Sequence, residues 1–253
     1  MATAKAALDS EFLESELHDQ FVRMDIDYTA AAVAIADRGA LKPGARILIP
    51  GCGTGPLERA LAGLGMRCTG LDFIESSVDF CRQRAAAEGL SIAYFQGDFL
   101  AWNSEREFDA AAIFNVDLSV NSARKWLAHV KALLRPCGMV FFLGIEFDPA
   151  HATVGERAFW RGTFEADGWR AENESACWWE AGLQLKWAET TIVRDDAGAE
   201  LKSFGFEGLV DLLPAGGAEQ ALREAGFSGI ETIYSRESYV HPATQGRFLS
   251  ATA

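Results

Sequence analysis

The chain is short of basic residues: 23 Lys and Arg stand against 36 Asp and Glu, a formal net charge of −13 over 253 residues. So acidic a surface repels phosphate backbones and anionic lipid, which argues against nucleic acid and membrane as partners. Long apolar runs are missing as well, none approaching the roughly 20 residues that a bilayer demands. Cysteine is sparse and scattered; Cys52, Cys68, Cys81, Cys137 and Cys177 are odd in number and form no C-x-x-C pair. That pattern suits reduced thiols in a cytoplasmic protein better than disulfides or zinc. With no His/Cys/Asp/Glu cluster of metal-ligand spacing, the expectation is a metal-independent protein. Repeats and low-complexity tracts are absent. The first twenty residues, MATAKAALDSEFLESELHDQ, read as a polar, acidic helix without the basic start and apolar run of a secretory signal.

What is present is an ordinary globular supply of apolar residues, 49%, with 23% charged. From about residue 45 short apolar runs alternate with amphipathic stretches. RILIP (46–50), RCTGLD (67–72), SIAYF (91–95), FDAAAIFN (108–115) and MVFFLGI (139–145) read as strands. Helices are expected over 57–64, 75–88, 123–134 and 218–225. Strands without polar alternation require a parallel sheet covered on both faces, and the repeated strand–helix units predict a doubly wound, Rossmann-like α/β fold. After Glu146 the character changes, with five of the seven tryptophans between Trp160 and Trp187. The expected organisation is a helical cap over 1–44, a core over 45–150, an antiparallel aromatic-rich insertion over 151–213, and a C-terminal helix and hairpin over 214–253.

The segment RILIPGCGTG places Gly51, Gly53 and Gly55 at alternate positions directly after a strand, with Cys52 between the first two. Glycines there let the backbone turn sharply and approach a ligand closely, and the next helix offers free N–H groups to an anion. Asp72 ends the second strand, where a carboxylate can accept hydrogen bonds from both ribose hydroxyls of a nucleoside. The spacing is G-x-G-x-G followed by Pro56, not the G-x-G-x-x-G of a dinucleotide site, which favours a ligand without pyrophosphate. The plain alternative is a glycine-rich turn with Asp72 capping a helix.

On these motifs the chain resembles the class I S-adenosylmethionine-dependent methyltransferases, of the bacterial small-molecule and natural-product type. ILIPGCGTG matches the family's first motif and Asp72 its second-strand acid. FQGDFLAW supplies Asp98 and Phe99 at the adenine, and FDAAAIFNVDLSV puts Asn115 at the end of the fourth strand. LRPCGMVFFL, REAGFSGIETIYS and RFLSATA match the turn into the fifth strand, the last helix and the closing hairpin. The resemblance implies a seven-stranded, mostly parallel sheet and S-adenosyl-L-methionine as cofactor, leaving S-adenosyl-L-homocysteine. It also implies a cofactor site made of Tyr28, Gly51, Cys52, Gly53, Gly55, Asp72, Phe73, Asp98, Phe99 and Asn115. One departure stands out: many members carry an acid two places before the first glycine, and here Ile49 and Pro50 fill that stretch. Tyr28 and Arg23 of the N-terminal segment are candidates to help hold the cofactor instead.

The implied reaction is in-line displacement of a methyl group onto N, O or C of a small aromatic or amine-containing metabolite, by a monomer or homodimer. A base is needed only where the nucleophile must lose a proton. Asp117, Glu146 and His151 follow the fourth and fifth strands and are the candidates. Their plain readings are a helix cap, a surface acid and a solvated loop histidine. Asn115-Val116-Asp117-Leu118 is not the N-P-P-[YF] signature of amide and nucleobase methylation. Trp160 and Phe164, four apart in an expected helix, and the adjacent Trp178 and Trp179 are candidates for an aromatic lid over the substrate, against a plain role in the core. Three alternatives remain open: a cofactor-binding protein of this fold that does not methylate, a nucleotide-dependent oxidoreductase, and an aminopropyltransferase.

Overall fold

A computed structural model describes residues 12–105, 107–114, 116, 118–166, 168–237 and 243–253. Two helices come first, α1 (Phe12–Asp25) and α2 (Tyr28–Arg38). Strands and helices then alternate through β1 (Arg46–Pro50), α3 (Pro56–Gly63), β2 (Arg67–Asp72), α4 (Glu75–Ala87), β3 (Ala93–Gln96), β4 (Phe108–Phe114), α5 (Val120–Leu133) and β5 (Leu134–Phe147). A 3-10 turn at Pro149–His151 leads into β6 (Arg157–Ala166), β7 (Trp169–Ala181), β8 (Gln184–Asp195) and β9 (Glu200–Asp211). The chain ends with the two-residue β10 (Leu213–Pro214), α6 (Gly217–Glu224), β11 (Ser228–Glu237) and β12 (Thr244–Thr252).

The main sheet runs β3-β2-β1-β4-β5-β12-β11, with β10 alongside the end of β5. All pairings from β3 through β5 are parallel; β12 is antiparallel to both β5 and β11. The chain leaves β1 towards β2 on one side and returns to β4 on the other, so a crevice opens beyond the carboxyl ends of β1 and β4.

The uniformly apolar strands are the buried ones. Ile47, Leu48 and Ala110 through Ile113 have no exposed surface. Ile47, Ile49, Ala110, Ala112 and Phe141 pack towards α2, α3 and α4. Leu48, Ala111, Ile113, Val140 and Phe142 pack towards α5 and α6. Burying each large aliphatic chain stabilises the fold by roughly 1.5–3 kcal/mol. Helix starts follow local chemistry. Asp27 Oδ1 accepts from Ala30 N at 2.9 Å to cap α2, and Ser119 Oγ accepts from Ser122 N at 3.3 Å to cap α5. Pro56 sits at the start of α3 behind a left-handed Gly55.

Two expectations are corrected. Trp160 and Phe164 lie on a strand, not a helix: β6 pairs residue by residue with β7 from Arg157↔Trp178 to Ala166↔Trp169. Aromatics around Gly162 and the β-branched Thr163 favour strand, and residues four apart share a face in either structure. The insertion is therefore a complete four-stranded antiparallel sheet, β6-β7-β8-β9. The fifth strand, expected from residue 139, starts at Leu134 and runs through Cys137, whose φ of 63° lies in the left-handed region. A side chain there costs about 1–2 kcal/mol, partly offset by the greater freedom that glycine gives the unfolded chain. Cys137→Gly should therefore raise stability by about 0.5–1 kcal/mol, read as a higher urea midpoint at unchanged slope.

Candidate cofactor and acceptor site

The crevice begins at the glycine loop. Gly51 N and Cys52 N both donate to Leu71 O, at 2.7 and 3.0 Å, tying the loop to the end of β2. The three glycines have φ of 69°, 53° and 73°. A Cβ on Gly51 would lie 2.7 Å from Val116 Cγ2, and one on Gly55 would lie 2.7 Å from Tyr94 Oη. Packing thus demands the first and third glycines. At Gly53 a Cβ would meet nothing within 4 Å, so the middle of the loop is open to a ligand.

Asp72 is buried beneath that opening. Its Oδ2 accepts from Gly53 N at 2.8 Å and its Oδ1 from Ile74 N at 3.0 Å, so it both holds the loop and caps the approach to α4. Each carboxylate oxygen has a further acceptor site, which leaves Asp72 able to receive ribose hydroxyls. Phe73 beside it is 73% exposed. Asp98 Oδ1 accepts from Leu100 N at 2.9 Å. Phe99 points into the core, 5.0 Å from Trp126 and 4.8 Å from His129 between ring centroids. It serves the crevice indirectly, since Trp126 in turn lies against Gly51.

A cavity of about 50 Å³ under the loop is walled by Tyr28, Ile49, Gly51–Thr54, Pro56, Leu57, Glu58 and Phe114, with His18 at its edge. His18, Gly53 and Thr54 also line a larger cleft of about 420 Å³, roofed by Phe164, Asn173, Glu189, Thr191, Phe204 and Phe206 of the insertion. Tyr28 is buried with its ring 6.3 Å from Phe114. His18 has surface open to the cleft. Surrounding protein nonetheless desolvates it and pushes its pKa below the ordinary histidine value, against the pull of Glu189, Asp19 and Asp72.

The roof carries a polar set that strand reasoning missed. Cross-strand register places Asn173 opposite Thr191, and Ser175 opposite Glu189. Asn173 Nδ2 donates to Thr191 Oγ1 at 2.9 Å and to Glu189 Oε1 at 3.0 Å; Ser175 Oγ donates to Asn173 Oδ1 at 3.0 Å. Asn173, Ser175 and Thr191 are buried. The signal was available in alternation, because these residues share a register with Ala171, Cys177, Trp187 and Val193, all apolar and buried.

Other candidates fall elsewhere. Glu146 caps the start of α6, accepting from Gly216 N at 2.9 Å and Ala218 N at 3.0 Å, and does not line the cleft. His151 is exposed, with Nδ1 2.8 Å from Asp148 Oδ2, and does not line the cleft. Phe164 does line it. Trp160 stacks on Trp187 at 5.3 Å, beside the polar set. Trp179 packs on Phe147, whereas Trp178 takes the opposite face of the sheet, where Arg157 lies 4.3 Å from its ring. Trp178 does not line the cleft. Asn115 and Asp117 lie outside the described residues. Among the described residues no helix is long and apolar enough to cross a membrane, and no three His, Cys, Asp or Glu are grouped to hold a metal.

The family described as methyltransferase domain matches residues 47–138. The chain is 30% identical over 171 residues to the ubiquinone biosynthesis O-methyltransferase of Xanthomonas campestris pv. campestris (strain B100), covering 64% of this chain and 69% of that protein. It spans 42% of the length of another ubiquinone biosynthesis O-methyltransferase that it matches at 37% identity. Streptomyces venezuelae DesVI superposes with a TM-score of 0.75 at 21% identity, over 95% of this chain and 98% of that one. CalS10 of Micromonospora echinaspora, an amino pentose methyltransferase with S-adenosylmethionine bound, superposes with a TM-score of 0.70 at 22% identity, over 94% and 97%. At these identities both likenesses show the fold.

Proposed function

We propose, for a chain that belongs to the class I S-adenosylmethionine-dependent methyltransferases, that the methyl group goes to the amine nitrogen of a small metabolite. The acceptor would lie in the cleft between the glycine loop and the polar roof of the insertion. The observation that carries this reading is Glu189, a carboxylate held by Asn173 and Ser175 in a cleft lined by no Lys or Arg among the described residues. Such a cleft attracts an amine and repels a phosphorylated or carboxylated acceptor. The description of CalS10 as an amino pentose methyltransferase points the same way.

The residues fit the cofactor: an open backbone face at Gly53, a buried carboxylate at Asp72 and a cavity beneath the loop. When bound, S-adenosylmethionine supplies an electrophilic methyl group on a sulfonium. The chain itself must align the nucleophile, keep water out and receive a proton. Phe164, Phe204 and Phe206 give the acceptor an apolar frame. Glu189 fixes the nitrogen by accepting its N–H. His18, whose pKa burial pushes down, is an acceptor for the proton that leaves as the nitrogen is alkylated.

Radiolabelled methyl transfer to a panel of small amines and phenols tests the reading, with S-adenosylhomocysteine counted against methylated product. Amines should be methylated one for one, and Glu189→Gln should lower kcat/KM about 100-fold while leaving cofactor affinity unchanged. Preference for phenols would instead ally the chain with the O-methyltransferase relatives. Cofactor binding without labelled product from any acceptor would favour a non-methylating role.

A further inference from the structure

The tryptophan cluster of the insertion reaches the carboxylate of Glu189. Trp187 and Glu189 lie two apart on β8 and so share one face of the strand. The Trp187 ring is 9% exposed and stacks on Trp160 of β6, with centroids 5.3 Å apart and planes 12° from parallel. So held, its indole Nε1 donates to Glu189 Oε2 at 3.3 Å, the partner that a buried indole N–H requires. Asn173 is fixed from the neighbouring strand: one N–H goes to Thr191 Oγ1, the other to Glu189 Oε1, and its own oxygen receives Ser175. The single Ser175 hydroxyl proton is shared between Asn173 Oδ1 at 3.0 Å and Glu189 Oε2 at 3.3 Å. Trp187 is therefore the one donor among the described residues committed to Oε2.

A carboxylate oxygen has two acceptor places. On Oε2 the indole and the shared serine proton take both; on Oε1 Asn173 takes one and leaves one. Glu189 thus offers the cleft a single oxygen. An amine needs no more, since one N–H given to Oε1 leaves the nitrogen lone pair free to turn towards the methyl donor. An amidine or guanidine binds a carboxylate by a fork of two parallel N–H groups and needs both oxygens. We infer that Trp187 is a positioning and specificity-determining residue: by occupying Oε2 it makes Glu189 a one-oxygen acceptor that orients amines and rejects amidines and guanidines. This rests on the amine reading proposed above. It gives the Trp160–Trp187 stack a role beyond the apolar cluster it shares with Phe147, Cys177 and Leu185.

The test compares benzylamine as methyl acceptor with benzamidine as its competitor, a pair that presents the same phenyl ring to Phe164, Phe204 and Phe206. Trp187→Phe keeps an aromatic ring and loses the N–H. It should lower kcat for benzylamine about 10-fold and change KM by no more than about threefold, because charge and apolar frame still bind the amine while its nitrogen is no longer aimed. Benzamidine should inhibit the variant about 10-fold more strongly than wild type, since Oε2 becomes free for the second N–H. S-adenosylhomocysteine should bind both alike. Should Trp187→Phe not fold, β-(3-benzothienyl)alanine at position 187 keeps the shape and stacking of indole with sulfur in place of N–H, and the same two opposite shifts are expected. Loss of amine turnover without tighter benzamidine, or no change in either, would overturn the inference. Wild type that methylates phenol in preference to benzylamine, or Glu189→Gln that turns over benzylamine at the wild-type rate, would overturn the amine reading itself, a distinct result.

Discussion

Asp72→Ala should bind S-adenosylmethionine at least 100-fold more weakly than wild type. Two losses of affinity combine with one of stability. The ribose hydroxyls lose a charged acceptor, worth about 1.5–3 kcal/mol. Gly53 N loses its 2.8 Å partner, so the one open glycine of the loop is no longer held in place. Ile74 N loses its 3.0 Å acceptor at the approach to α4, which costs roughly 1 kcal/mol of fold stability. The affinity loss therefore exceeds the stability loss, and the two separate by experiment: calorimetry for the cofactor, urea denaturation for the fold. Asp72→Asn keeps the shape and one acceptor oxygen, so it should fall between wild type and alanine. If the alanine variant binds within threefold of wild type, Asp72 is only a cap.

Arg59→Leu should destabilise the protein by about 3–5 kcal/mol, the usual cost of stranding a buried charge. Arg59 is 4% exposed and Asp19 5%. Its Nη2 reaches Asp19 Oδ1 at 2.8 Å and its Nη1 the Thr54 carbonyl at 2.5 Å, while Nε is 3.3 Å from Glu88. One guanidinium thus joins α1, the glycine loop and the end of α4. The substitution should lower the urea midpoint and expose α1 to protease before the rest of the chain unfolds. A stability unchanged within 1 kcal/mol would mean that α1 contributes none through this contact.

The fold was legible where one environment determines a whole segment. Parallel strands covered on both faces leave unbroken apolar runs such as ILI and AAAIF. Left-handed turns select glycine, which is why the loop stood out. Reading failed where two structures share a pattern. Trp160 and Phe164 fit helical and extended periods equally, and Glu146 lies 70 residues in sequence from the helix it caps. The polar set of the roof was missed because Asn173, Ser175 and Glu189 on a strand read as a solvent face, although their alternation with Ala171, Cys177, Trp187 and Val193 marks that face as covered. The burial of Glu58 was missed for a similar reason: an acid in the first turn of a helix ordinarily faces water and complements the helix dipole.

Helix α1 is fastened on one side to α3 and α4, which flank the main sheet, by Asp19 to Arg59 and Glu16 to Arg84. On the other side Leu17 enters the apolar cluster of Phe164, Trp169, Ala171 and Val193 in the insertion. It therefore works as a spacer. The gap between donor floor and acceptor roof is set by the girth of one helix, about 10 Å with its side chains. If the acceptor lies where it is proposed to, a gap of fixed height would act as a gauge, admitting flat or compact molecules and turning away chains and folded polymers whatever their charge. Selection by thickness would survive changes to the residues on the roof, so acceptor range could shift chemically without growing in size.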